Sequence, residues 1–95
     1  MTTSTTKGQF KTHFDLGIEK LKEMADAQPA AQRDMFLRLM PEMSALADHY
    51  DTIAENSNYE SHGHAFIANR GLAENDKRVV VAFTSQAIKF GRESI

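Results

Sequence analysis

The stretch "VVVAF", residues 79–83, decides the fold class of this chain. Taken alone, this apolar run with three consecutive valines is typical of a buried strand. No second strand candidate exists to pair with it, and an unpaired strand would leave its backbone groups unsatisfied. The flanking residues continue the apolar spacing of a helix, so the sequence predicts a last helix from about Asn75 to Arg92. Its apolar stripe comprises Val80, Phe83, Ala87 and Phe90, widened by Val79 and Ile88.

A longer apolar stripe in the middle of the chain passes through Pro41 without losing its phase. A proline inside a helix removes one hydrogen bond and kinks the helix, whereas two independent helices need not stay in phase. The retained phase favours one helix from about Ala30 to Asn56, kinked at Pro41. A new helix that starts at Pro41 after a tight turn is the alternative. The stripe comprises Phe36, Leu39, Met40, Met43, Leu46, Ala47, Tyr50, Ile53 and Ala54.

The first helix is predicted from about Gln9 to Ala27. Gly17 interrupts it, at a cost of up to about 1 kcal/mol relative to alanine. The helix ends before Pro29, because the residue that precedes a proline is disfavoured in the α region. Pro29 can then open the second helix, where its missing N–H costs nothing. The apolar stripe comprises Phe10, Phe14, Ile18, Leu21 and Ala25.

Residues 57–64 are predicted to form the main connection, because Asn and Gly act as breakers there. Residues 64–71, "HAFIANRG", are predicted to form a short helical turn that Gly71 closes. The predicted fold is all-α: a small bundle of three main helices plus this short turn. Residues 1–8 are expected to be a flexible N-terminal arm, since they are polar apart from Met1. Residues 9–95 are predicted to form a single helical domain.

Composition excludes several classes of protein. The chain has 95 residues, a formal net charge of −2 and no cysteine. A nearly neutral chain has no strong field to recruit nucleic acid or an anionic membrane. Without cysteine there is no disulfide, Cys–zinc site or thiol nucleophile, which fits a reducing compartment. No signal peptide and no apolar run of the length that spans a bilayer is present, so a cytoplasmic protein without a membrane partner is expected.

The length of the second helix suggests self-association. A helix of roughly 27 residues is about 40 Å long, and its upper half would find few partners within so short a chain. A second copy of the chain would bury it, so we expect a homo-oligomer. Methionine packs adaptably and occurs both in irregular cores and on surfaces that meet partners. The stripe is therefore predicted to be core, and also the oligomer seam through Phe36, Met40, Met43, Ala47 and Tyr50.

Glu60, His62 and His64 are the best candidates for metal ligands. Two imidazoles and a carboxylate suit zinc, nickel, copper or iron, and His13 or His49 could complete the set. The spacing matches no known metal-binding motif. Histidines in such a connection also serve as ordinary polar residues, and no cofactor is expected.

Two charged faces are further candidates. The last helix carries Arg78, Ser85, Lys89 and Arg92 on one side, and with Lys77 and Arg70 these could hold a small anion or a nucleic-acid backbone. The same cations also suit a solvated face and the dipole at the end of a helix. On the second helix, an acidic edge is expected to be solvated; it comprises Asp48, Asp51 and Glu55.

These features favour a non-enzymatic protein that works by binding. No nucleophile elbow or glycine-rich phosphate loop is present, and no motif resembles a known family. We expect a homo-oligomer, or a small adaptor or inhibitor of a larger machine. The short length and Thr-rich start are compatible with an accessory protein of a phage or plasmid. Contacts with the partner are expected from Tyr59, His62, His64, Asn69 and Arg70, on the connection before the last helix.

Overall fold

The part of the chain that the structure describes folds into four helices. In this computed structural model the described residues are 8–53 and 59–94, and the side chains of residues 53, 59 and 60 are excepted. No strand occurs in these ranges, so the prediction of an all-α fold is confirmed. The "VVVAF" stretch lies within the last helix, where Val80 and Val81 are buried. The helices are α1 (Phe10–Asp26), α2 (Ala30–Ile53), α3 (Tyr59–Ile67) and α4 (Glu74–Glu93).

Helix α2 is continuous through Pro41, as the phase of its stripe predicts. Leu39 and Met43 are both buried, while Pro41 between them is exposed. The apolar face therefore keeps its direction on both sides of the proline. The predicted end of this helix, residues 54–56, lies outside the described residues, as do residues 1–7 of the predicted N-terminal arm.

Helices α1 and α4 lie antiparallel, with their backbones in direct contact. A Cβ atom at Gly17 would lie 2.7 Å from the backbone nitrogen of Gly91 and closer still to the carbonyl of Ala87. A Cβ atom at Gly91 would likewise collide with the carbonyl of His13. Only glycine permits this approach, because every other residue carries that atom. Gly17, predicted only to weaken α1, is thus a contact point that joins α1 to α4.

Asp51 of α2 caps the start of α1. Its carboxylate accepts hydrogen bonds from the backbone N–H groups of Gly8 (3.0 Å), Phe10 (2.7 Å) and Lys11 (3.0 Å). Backbone N–H groups at the start of a helix point out of its hydrogen-bond ladder, and a carboxylate also suits the positive end of the helix dipole. The prediction that Asp51 belongs to a solvated edge is therefore wrong. Asp48 is exposed as predicted, and Glu55 lies outside the described residues.

The stripe of α2 is covered by other parts of the same chain. Of the predicted seam, Phe36, Met43, Ala47 and Tyr50 are 0–3% exposed, and Met40 packs against this core. The Tyr50 ring lies 5.5 Å from that of Phe10 in α1, and the Phe36 ring lies 5.6 Å from that of Phe83 in α4. The expectation that α2 lacks partners within the chain is therefore wrong. The stripe is core, and its buried residues leave little surface for a second copy.

Helix α3 begins before the predicted helical turn. Residues 59–63, predicted to be part of a connection, are helical. Gly63, predicted to be a breaker, is buried inside α3. A Cβ atom there would lie 3.0 Å from the Tyr50 ring carbon Cζ. The glycine thus lets α3 approach α2 closely. The predicted closure is confirmed, because residues 68–71 form turns and Gly71 has a φ of 74°.

The described helices enclose one apolar core. The Cα radius of gyration is 12.7 Å; the expectation for a compact chain of this length is about 12 Å. Buried residues of all four helices contribute to the core, α3 through Ile67. None of the described helices combines the length and apolar character needed to cross a membrane.

We expect Gly17→Ala to destabilise the fold by about 1–3 kcal/mol, because the added methyl group has no room beside the Ala87 carbonyl. Helix propensity alone predicts the opposite sign, a stabilisation of up to about 1 kcal/mol. Urea denaturation followed by circular dichroism measures the free energy of unfolding. A variant as stable as the wild type would contradict the backbone contact between α1 and α4.

Asp51→Ala is expected to lower the free energy of unfolding by about 2 kcal/mol, because three backbone donors lose a charged acceptor. Asp48→Ala is the matched control: it removes the same charge from an exposed position of the same helix and should change stability by less than about 0.5 kcal/mol. If the two substitutions had equal effects in thermal and urea unfolding, the loss of stability would come from the change in net charge and not from the loss of the cap.

Candidate functional site

An open cavity lies where the end of α1 and the start of α2 meet the middle of α4. We call it the apolar groove; its volume is about 330 Å³. The lining residues come from the last turns of α1, the connection that follows, the first turns of α2 and the middle of α4. The Phe36 and Phe83 rings, in edge contact, form part of its wall. The lining comprises Leu21, Met24, Ala25, Gln28, Gln32, Met35, Phe36 and Phe83.

The chemistry of the apolar groove is that of a binding surface. None of its lining residues is charged or nucleophilic, and the amides of Gln28 and Gln32 are its polar groups. Met24 is 51% exposed although it is a large apolar side chain. Burying such a side chain against another molecule is favourable, and the flexible thioether adapts to the shape of the surface it meets.

A second cavity, the α3–α4 cavity, has a volume of about 310 Å³. Each wall is one face of a helical segment, because its lining positions lie three and four residues after the first. One wall is formed by α3 and the turn that follows, and the other by the first turns of α4. The lining comprises His64, Ile67, Ala68, Glu74, Lys77 and Arg78.

The structure separates the two histidines predicted as metal ligands. His62 and His64 are two positions apart in α3, and such residues do not face each other. His64 lines the α3–α4 cavity, whereas His62 is an electrostatic neighbour of His49 in α2. Among the described side chains, no three His, Asp or Glu residues form a group that could hold a metal ion. The side chain of Glu60 lies outside that description.

Other predicted contact residues are engaged within the chain. The Arg70 guanidinium donates hydrogen bonds to both carboxylate oxygens of Glu42 (2.8 and 3.3 Å) and lies 5.3 Å from the centre of the Phe66 ring. The bonds to Glu42 hold the pKa of Arg70 above its usual value. The side-chain amide of Asn69 donates to the carbonyl oxygen of Ala65. Both residues therefore fix the end of α3, while the Tyr59 side chain is not described.

The predicted basic face does not form one small-ligand site. Arg78 and Arg92 are fourteen positions apart on α4, a separation of about 21 Å along the helix. Arg78 lines the α3–α4 cavity, whereas Arg92 is half-buried near His13 of α1. Lys89 is exposed between them. The cations of this face thus have separate surroundings, and only Arg78 and Lys77 share a cavity.

One histidine is buried in the bundle and a second is half-buried. His13 is 5% exposed; burial lowers its pKa, the charge of Arg92 lowers it further, and Asp51 acts in the opposite direction. His49 stacks on Phe66 of α3 with ring centroids 4.2 Å apart. Burial lowers the pKa of His49, and the neighbouring His62 contributes.

Sequence reasoning missed the apolar groove. Met24 lies off the stripe of α1 and Met35 lies at the edge of that of α2, so periodicity alone indicates neither as the wall of a cavity. The available signal was the pair of methionines on either side of the Gln28–Pro29 break.

The chain matches no protein-family model, no curated protein and no solved structure. Likeness to another protein therefore assigns no role to either cavity, and the proposals below rest on the geometry of the described residues.

The pKa directions of His13 and His49 predict a loss of stability in mild acid. Both pKa values are lower in the folded chain than the usual value of about 6.5, so the unfolded chain binds more protons below that pH. The favourable contribution of the two histidines to the free energy of unfolding is present above about pH 6.5. It decreases as the pH falls through their folded-state pKa values. Urea denaturation between about pH 7.5 and 5 measures it. The double variant His13→Gln, His49→Gln should show a flatter pH dependence; an unchanged slope would contradict the assignment.

Proposed function

We propose that this chain is a non-enzymatic binding protein that assembles through the apolar groove, with a second copy of itself as the first partner. The observation that carries the proposal is the open, uncharged cavity of about 330 Å³ beside the 51% exposed Met24. Exposed apolar surface rimmed by polar groups is typical of protein–protein contact sites. The absence of cysteine favours a reducing compartment, such as the cytoplasm, as the place of this assembly.

Several properties favour a second copy as the occupant. A symmetric dimer uses the same patch on both subunits. The exposed methionine of each subunit can therefore pack into the groove of the other. The net charge of −2 gives little repulsion between copies. The polar groups of the lining are neutral amides, which cost less to bury than charges do.

The proposed contact differs from the seam expected from the sequence. Met43, Ala47 and Tyr50 are fully buried in the core of one chain, so they are not accessible to a partner. Phe36 belongs to both sets, because it is buried and also lines the apolar groove. The apolar face of a helix in another protein would fit the same surface. In that form the chain would act as an adaptor or inhibitor within a larger assembly.

The test is the oligomeric state, followed together with the methyl NMR signals of the five methionines. Native mass spectrometry should show a dimer, and over about a hundredfold dilution the signals of Met24 and Met35 should shift while that of buried Met43 stays constant. Met24→Glu should weaken association by at least about tenfold, because a charge would be buried in the contact.

Leu37→Glu is the matched control, because Leu37 is 48% exposed against 51% for Met24 and does not line the groove. It should leave association unchanged. A monomer at every concentration, with constant methionine signals, would contradict self-association. A dimer that Leu37→Glu disrupts and Met24→Glu does not would place the contact on another face.

A further inference from the structure

We propose that the α3–α4 cavity binds the phosphate group of a small organic phosphate. Its walls bring Lys77 and Arg78 of α4 against His64 of α3, across a space of about 310 Å³. Cavities of roughly 300–1,000 Å³ are the usual size for small ligands. This site is separate from the apolar groove: the two share no lining residue.

The cations of the cavity are only partly neutralised. The ammonium of Lys77 lies 3.6 Å from the carboxylate of Glu74, a loose ion pair, although the Lys77 side chain is only 26% exposed. The Glu74 side chain is 77% exposed and extends largely into solvent. Arg78 forms no ion pair with any residue of the described part of the chain. Two cations against one solvated carboxylate leave a positive cavity, in which the guanidinium can donate two parallel hydrogen bonds to phosphate oxygens.

The direction of α4 adds to this positive potential. Glu74 is the first residue of α4, so the backbone N–H groups of the first turn lie beside the cavity. Ala73, which precedes the helix, offers no side chain to cap them. The other acid of that turn, Asp76, accepts a hydrogen bond from Arg38 of α2 (3.3 Å) and is partly neutralised there. Helix N-termini attract anions. Here this attraction adds to the positive charges of Lys77 and Arg78.

The remaining wall selects the organic part of the ligand. The apolar surface on the α3 side of the cavity comes from exposed Ala68, with little from Ile67, which is 1% exposed; His64 also lines this side. An apolar group attached to the phosphate can pack against this surface, which inorganic phosphate cannot use. The ligand class is therefore a small phosphate monoester with an apolar or aromatic substituent.

The probe for this site is phenyl phosphate, titrated into the ¹⁵N-labelled protein at constant ionic strength and followed by amide NMR signals. We expect saturable shifts confined to residues 64–68 and 73–78, with weaker binding of inorganic phosphate. Arg78→Gln should reduce the affinity by at least about tenfold. Lys77→Gln should reduce it as well, and both side chains lie at the surface, so the fold should persist.

Lys89→Gln is the matched control, because it removes the same charge from an exposed position of α4 outside the cavity. It should leave the affinity unchanged. The absence of saturable shifts up to about 10 mM phenyl phosphate would overturn the proposal. A dissociation constant above that concentration means a binding free energy weaker than about −3 kcal/mol. Equal losses for Arg78→Gln and Lys89→Gln would also overturn it, since they would indicate general attraction of anions.

Discussion

The backbone contact between α1 and α4 is the constraint on which the rest of the structure depends. Gly17 meets the Ala87 carbonyl, and one turn away Gly91 meets that of His13. Helices without a Cβ atom at the crossing approach more closely than helices that interpose side chains. This approach places His13 in the interior of the bundle beside Arg92. It also fixes the surface on which α2 packs.

Helix α2 is then held at both of its ends by contacts distant in sequence. Near its end, Asp51 caps α1 through three backbone donors, and Tyr50 packs on Phe10. Near its start, Phe36 packs on Phe83 of α4. The apolar groove remains open beside this second contact, with the exposed Met24 of α1 and the half-buried Met35 of α2 on its wall. The binding surface thus lies at the end of the bundle where α1 connects to α2.

Periodicity, with the lack of a partner strand for one apolar run, predicted α1, α2 and α4 but not the start of α3. The stripe through Pro41 kept its phase because an exposed proline does not interrupt the buried face, and the "VVVAF" run was helical because it had no strand to pair with. The prediction for Gly63 was wrong and that for Gly17 missed its role, whereas the closure at Gly71 is confirmed. Gly17 and Gly63 lower helix propensity, so the sequence indicates a weak point and a breaker, yet both occupy places where another helix leaves no room for a Cβ atom. Propensity describes a helix in isolation, whereas these residues serve contacts between helices.

The sequence by itself determined the fold class, the three longer helices to within a few residues, and the buried stripe of α1 and most of that of α2, because these depend on residues close together in the chain. Tertiary structure alone decided which polar residues share surroundings. In the folded chain Asp51 caps a helix instead of being solvated, and His62 and His64 face different surroundings. His64 lines the same cavity as Lys77 and Arg78. Such groupings depend on how helices approach one another. That approach is set by steric contacts between residues far apart in the chain, which no local pattern records.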